Sequence, residues 1–188
     1  MLQLTQMAET DAMTGLYNRV AAITRIEEYI DNIGGDTAAM VMFDLDNFKQ
    51  ANDVFGHSFG DAVIVENARR LKQLFRKDDV ICRIGGDEFM ILCKNIREKD
   101  LQKKLERVID SMTMVHEKDG QIIRFSASAG YVMIPDHGTE FDDLYSKTDM
   151  ALFAAKLRGK SSFCRYSPDM KAVRYELAED RERQPEQE

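Results

Sequence analysis

The chain lacks any hydrophobic run approaching the ~20 residues that a membrane span needs, and its first residues show no signal-peptide pattern. Both absences lead to the expectation of a cytoplasmic segment with no membrane contact of its own, in a parent chain that could still be anchored elsewhere. An excess of basic charge is also lacking, since 33 acidic residues stand against 26 basic ones and the formal net charge is -7. Phosphate-backbone binding is driven by Lys and Arg, so a nucleic-acid partner is disfavoured. A nucleotide is not, because a bound cation can join carboxylates to phosphates. Cysteine is scarce. Cys82, Cys93 and Cys164 are odd in number and show no metal-type spacing. The first two lie in apolar runs and read as inert thiols in a reducing compartment.

What is present is the pattern of a single domain. The 188 residues are 44% hydrophobic and 31% charged, an ordinary globular balance with room for a core. Ile23, Ile26 and Ile30 predict a helix over 19–31, ended by Gly34-Gly35. The unbroken apolar run 38–43, leading into Asp44, predicts a buried central strand. A second helix is expected from Ile64, Ala68, Leu71 and Phe75. A hairpin is expected from 80–84 and 89–92 around Gly85-Gly86-Asp87, and a third helix from Leu101, Leu105, Val108 and Met112. Residues 121–134 read as one or two strands, 140–157 as a helix, and 162–166 as a short strand. This order suggests an α+β sheet with helices packed on it, with the Asp44 strand end beside the hairpin turn. The charged segment 179–188 has no periodicity and is expected to be partly disordered.

Three segments carry residues suited to chemistry. Asp44, at the end of an apolar strand in Phe43-Asp44-Leu45-Asp46-Asn47-Phe48-Lys49, is placed to offer a hard oxygen ligand to magnesium. The plainer reading is a solvated Asp44, with Asp46 and Asn47 capping a following helix. In Arg83-Ile84-Gly85-Gly86-Asp87-Glu88-Phe89 the glycines allow a tight turn and close approach of a phosphate. A structural hairpin has no need of adjacent Asp87 and Glu88, whose like charges are costly unless a cation offsets them. Between 52 and 61, Asn and Asp side chains could pair with the donor edge of guanine, or simply form a polar loop before the next helix.

Together these segments resemble the GGDEF family, the diguanylate cyclases. The resemblance runs over residues 9–166 and adds Asp11-Ala12-Met13-Thr14-Gly15-Leu16-Tyr17-Asn18-Arg19, Ser128-Ala129-Gly130 and Ala155-Lys156 followed by Gly159. It implies a palm-like fold of nucleotidyl cyclase type, with a ferredoxin-like core and a central antiparallel or mixed sheet flanked by helices. It also implies the condensation of two GTP into cyclic di-GMP. By the same resemblance Asp44 and Asp87 are metal ligands, with the Leu45 carbonyl helping. Two Mg2+, or Mn2+, would sit in each site. Glu88 is catalytic, assisting the metal or the 3′-hydroxyl, with the general base left open. Asn52 and Asp61 match the guanine-reading pair, Phe48 and Lys49 the phosphate cradle, and Lys156 and Lys160 the pair that holds the triphosphate.

Lys160 departs from the family's usual Arg, keeping the charge but losing the bidentate fork. Thr148-Asp149 stands where Ala-Asp is usual. Because each 3′-hydroxyl attacks the other GTP, the resemblance implies a catalytic homodimer. Residues 1–10 resemble the end of a connector helix, which implies a regulatory domain before them in the parent chain. Residues 11–168 then form the cyclase domain, and 169–188 a C-terminal helix and charged tail. Arg76 and Asp79 match the family's inhibitory site for the product, cyclic di-GMP, where the alternative is a solvated helix end. Other readings are a catalytically silent module binding cyclic di-GMP or GTP, a pure interaction domain, and a cyclase also accepting ATP, against which Asp61 argues.

Overall fold

The computed structural model describes residues 9–118 and 120–170. The connector expected at 1–10 therefore lies almost wholly outside the described residues, as does the charged tail. Among the described residues no helix is long and apolar enough to cross a membrane.

The apolar periodicities fold as expected. Helix α1 (Arg19–Asp31) buries Ala22, Ile26 and Ile30, and Asn18 caps it by accepting the Ala21 N–H. Strand β1 (Ala38–Asp46) is buried along nearly its whole length because both its faces are covered. Ala39, Val41, Phe43 and Leu45 enter a core built with α3 (His57–Leu74) and α4 (Glu98–Met112). Ala38, Met40 and Met42 enter a second core, built with α1 and α5 (Phe141–Leu157). That alternation decides which helices can reach the β1 carboxylates: Asp44 and Asp46 follow Met42 on the α1 and α5 face.

The sheet order is β2 (Val80–Gly85), β3 (Glu88–Cys93), β1, β5 (Gln121–Ile134), β4 (Met114–Lys118). β6 (Phe163–Arg165) runs parallel to β5 at 129–131, and all other pairings are antiparallel. Taking β1, β2, β3 and β5 with α3 and α4 gives a β-α-β-β-α-β unit with β1 and β3 in the middle, the ferredoxin-like arrangement expected. Close packing of α5 on β5 depends on Gly130. A Cβ there would lie 2.1 Å from the Leu152 nitrogen and 2.4 Å from the Thr148 carbonyl oxygen. All three cysteines are buried and unpaired, and burial pushes the Cys82 thiol up to about 12.

Two elements depart from expectation. Residues 52–55, expected as part of a polar loop, complete helix α2 (Phe48–Phe55), the helix that the plainer reading placed after Asn47; only Gly56, at φ 87°, separates it from α3. Strand β4 lies along the first half of β5. His116 from β4 packs against Phe59 and Phe125, with ring centroids at 5.0 and 5.6 Å.

Candidate active site

The pairing of β1 with β3 sets Asp44 opposite Glu88. The Leu45 N–H donates to the Asp87 carbonyl at 3.3 Å, so the glycine turn sits at the end of β1 as the sequence suggested. Three half-buried carboxylates, Asp44, Asp87 and Glu88, therefore share one strand end. Their charges are felt. Burial first, and then the Asp44 carboxylate, raise the Asp87 carboxyl above its ordinary value. Burial, then Asp44 and Asp87, raise Glu88. Lys156, near the C-terminus of α5, answers them with its ammonium 2.6 Å from Asp44 Oδ2.

This donor set suits a divalent cation: two carboxylates and the Leu45 carbonyl are hard oxygen ligands, and the crowded negative charge is what a cation would relieve. Among the described residues no three metal-binding side chains enclose an ion by themselves. Such partial sites are ordinarily completed by water and substrate phosphate.

Around the strand end lie the other expected residues. Phe48 and Lys49 open α2, half-buried and exposed respectively. Lys160, at φ 63°, donates from Nζ to Asn47 Oδ1 at 2.9 Å, so both late lysines are brought to the end of β1. Asn52 is half-buried in α2, and its Oδ1 is enclosed without a hydrogen-bond partner. It packs against Gly60, where a Cβ would lie only 1.9 Å from that oxygen. Asp61 follows Gly60 directly and is exposed, which brings the expected guanine pair to one helix junction.

Arg76 and Asp79 lie elsewhere, at the turn between α3 and β2. Asp79 is 7% exposed and accepts the backbone N–H groups of Arg76 at 2.9 Å and Lys94 at 3.0 Å, so it closes the turn. The exposed Arg76 lines a groove of about 980 Å³ with Tyr17, Arg25, Lys72 and Lys77.

Sequence reasoning missed two residues. Arg83 donates from Nε to the Gly86 carbonyl at 2.9 Å and pairs with Asp11 at 3.3 Å, tying the opening segment to the glycine turn. Asp46 does not cap α2. It is buried and takes hydrogen bonds from Ser126, Ser128 and Ser161. The only signal available was an acidic residue closing an apolar strand, and its partners are remote in sequence.

Comparison with known proteins is consistent with this geometry. The sequence model of the family described as "Diguanylate cyclase, GGDEF domain" matches residues 8–162. The chain is 32% identical over 168 residues to the cyclic di-GMP phosphodiesterase PdeR of Escherichia coli, covering 89% of this chain and 25% of that protein. It is 33% identical over 172 residues to the bifunctional diguanylate cyclase/cyclic di-GMP phosphodiesterase MucR of Pseudomonas aeruginosa, covering 90% of this chain and 25% of that protein. The chain thus spans about a quarter of the length of these relatives. The solved GGDEF domain of TpbB (YfiN) from Pseudomonas aeruginosa superposes with a TM-score of 0.81 at 28% identity, covering 88% of this chain and 99% of that one.

Proposed function

Because the chain belongs to the GGDEF family of diguanylate cyclase domains, we propose that it condenses two GTP into cyclic di-GMP and two pyrophosphates. The observation that carries this reading is the gathering of Asp44, Asp87, Glu88 and Lys156 at the end of β1, beside an intact glycine turn. Asp44, Asp87 and the Leu45 carbonyl would hold divalent cation, Mg2+ or Mn2+ and two per site in this reading. When bound, it would supply charge neutralisation for the attacking oxygen and the leaving pyrophosphate.

The chain's own residues do the rest. Asn52 and Asp61 bind the guanine edge, and Asp61 disfavours adenine, whose donor pattern is the opposite. Phe48, Lys49, Lys156 and Lys160 hold the triphosphate, and Glu88 assists the metal ligands or the 3′-hydroxyl. Each 3′-oxygen forms a bond to the α-phosphorus of the other GTP, the bond from that phosphorus to pyrophosphate breaks, and the hydroxyl proton is released to solvent. Reciprocal attack requires two sites facing across a two-fold axis, hence a homodimer. Cyclic di-GMP returns as an inhibitor at Arg76 and Asp79. A longer parent chain, with a regulatory domain before this one and a cytoplasmic setting, belongs to the same reading.

One observation favours a second reading, a catalytically silent module binding cyclic di-GMP or GTP: the relative PdeR is named a phosphodiesterase. Pyrophosphate release from GTP and Mg2+ at rising protein concentration separates the two. The cyclase reading expects release that climbs more steeply than protein concentration and vanishes in Asp87→Ala. A folded wild-type protein that releases none, even as an enforced dimer, leaves the silent module.

A further inference from the structure

Asp46 closes β1, is 2% exposed, and has no cationic side chain paired with it among the described residues. A buried carboxylate without a counter-ion needs dense hydrogen bonding. It has that: Ser126 Oγ donates at 2.6 Å, Ser128 Oγ at 2.8 Å and the Ser161 N–H at 3.0 Å. The two serine hydroxyls come from β5, beside β1. The N–H comes from the loop after α5, 115 residues further along the chain. One carboxylate thus ties that loop to the end of β1.

Backbone strain collects at the same place. Four non-glycine residues among those described have positive φ: Asn47 at 62°, Lys160 at 63°, Ser161 at 48° and Asn95 at 47°. Asn47 is Asp46's chain neighbour, Ser161 is its hydrogen-bond partner, and Lys160 is the residue before that partner. For Lys160 and Ser161, residue types that rarely adopt this region, such conformations persist only where the surroundings enforce them. The side chains are constrained too. Asn47 holds the N-cap position of α2, yet its side chain makes no capping bond. Its Oδ1 instead accepts from Lys160 Nζ, and its Nδ2 donates to the Arg124 carbonyl at 3.2 Å. Lys160 and the uncapped first turn of α2 are therefore fixed relative to each other.

We infer that Asp46 is a positioning residue for the phosphate side of the nucleotide site, acting through Ser161 and Asn47 on Lys160 and the first turn of α2. The inference rests on the GTP-binding reading above. A merely structural Asp46 would weaken all guanine nucleotides alike, whereas a positioning role makes the loss grow with the number of phosphates.

The test is calorimetric binding of 3′-deoxy-GTP, which lacks the attacking hydroxyl, and of GMP, each to the wild-type protein, Asp46→Ala and Asp46→Asn. Ala removes every acceptor. Asn keeps one oxygen for the Ser161 N–H, while the Ser128 hydroxyl can turn to accept its amide. The ratio of triphosphate to monophosphate affinity is expected to fall about tenfold in the Ala variant and about threefold in the Asn variant, with GMP affinity held within about twofold. If the Ala variant does not fold, the Asn variant decides alone. A folded variant that keeps the wild-type ratio, or loses GMP and 3′-deoxy-GTP equally, overturns the inference and leaves the cyclase reading standing. A wild-type protein that binds neither nucleotide overturns both.

Discussion

Replacing Gly60 by Ala puts one methyl group where the fold leaves no room, and the consequences can be worked out. The new Cβ would lie 1.9 Å from Asn52 Oδ1, 2.9 Å from its Cγ and 3.1 Å from Phe48 Cζ. Gly60 has helical backbone within α3, so Ala would otherwise gain about 1 kcal/mol of helix propensity. Overpacking costs about 1–3 kcal/mol. The net effect on the fold lies between nothing and a loss of about 2 kcal/mol, a fall in Tm of at most roughly 8 °C. Binding should suffer more clearly, because relief requires the Asn52 amide to swing away or α2 to move off α3. Losing one neutral hydrogen bond to the guanine is worth about 0.5–1.5 kcal/mol, or up to about tenfold in affinity for GTP. Gly35→Ala is the control, since nothing lies within 4 Å of a Cβ there. Thermal melting and calorimetric titration with 3′-deoxy-GTP on the two variants make the comparison. A Gly60→Ala protein with wild-type affinity and wild-type Tm would refute the placement of Asn52 against Gly60.

Gly130→Ala should be far more damaging, because its Cβ would strike the backbone of α5 at 2.1 and 2.4 Å. A loss of about 3 kcal/mol or more is expected in chemical denaturation, and a loss under about 1 kcal/mol would contradict the packing described. Arg76→Ala should weaken inhibition by cyclic di-GMP while leaving synthesis intact, and an unchanged inhibition curve would remove Arg76 from the product site. His137 Nδ1 accepts the Met133 N–H at 2.8 Å, and burial, then Arg165, hold the imidazole below its ordinary value. The unfolded chain therefore binds the proton more readily than the folded one. Stability is full at neutral pH and is lost as pH falls from the ordinary histidine value, 6.5, towards the lowered folded one. In His137→Asn, whose amide oxygen can accept the same bond, that part of the acid loss should disappear from melting curves, and an unaltered pH profile would count against it.

The two-layered helical packing was legible because each helix that flanks the sheet carries an apolar stripe and β1 is apolar throughout. An α+β sheet with the Asp44 strand end beside the glycine turn followed from the order of strands and helices, whereas the ferredoxin-like core was implied by the family resemblance. Helix α2 was only half legible: the plainer reading put a helix after Asn47, and Phe48, Ala51 and Phe55 stand at helical spacing, but the helix has eight residues and Asn52-Asp53 reads as loop. β4 escaped notice because Met114 and His116 bury one face of a five-residue strand, while its other face carries the exposed Val115. At the site, Asp44, Asp87 and Glu88 were visible as charges that a plain hairpin does not need. The Lys156 ion pair and the Asp46 cluster were not derivable, because each depends on tertiary pairing between residues far apart in the chain. For Asp46 the separations from its three partners are 80, 82 and 115 residues.

The central claim, that the carboxylates at the end of β1 serve cyclic di-GMP synthesis, is tested most directly by product identity. Concentrated protein would be incubated with GTP and Mg2+, and in parallel with ATP, and the nucleotides resolved by mass spectrometry. Cyclic di-GMP from GTP alone, absent with Asp87→Ala, is the expected result. Folded protein that yields no cyclic di-GMP, with dimerisation enforced and product continuously removed, would contradict it.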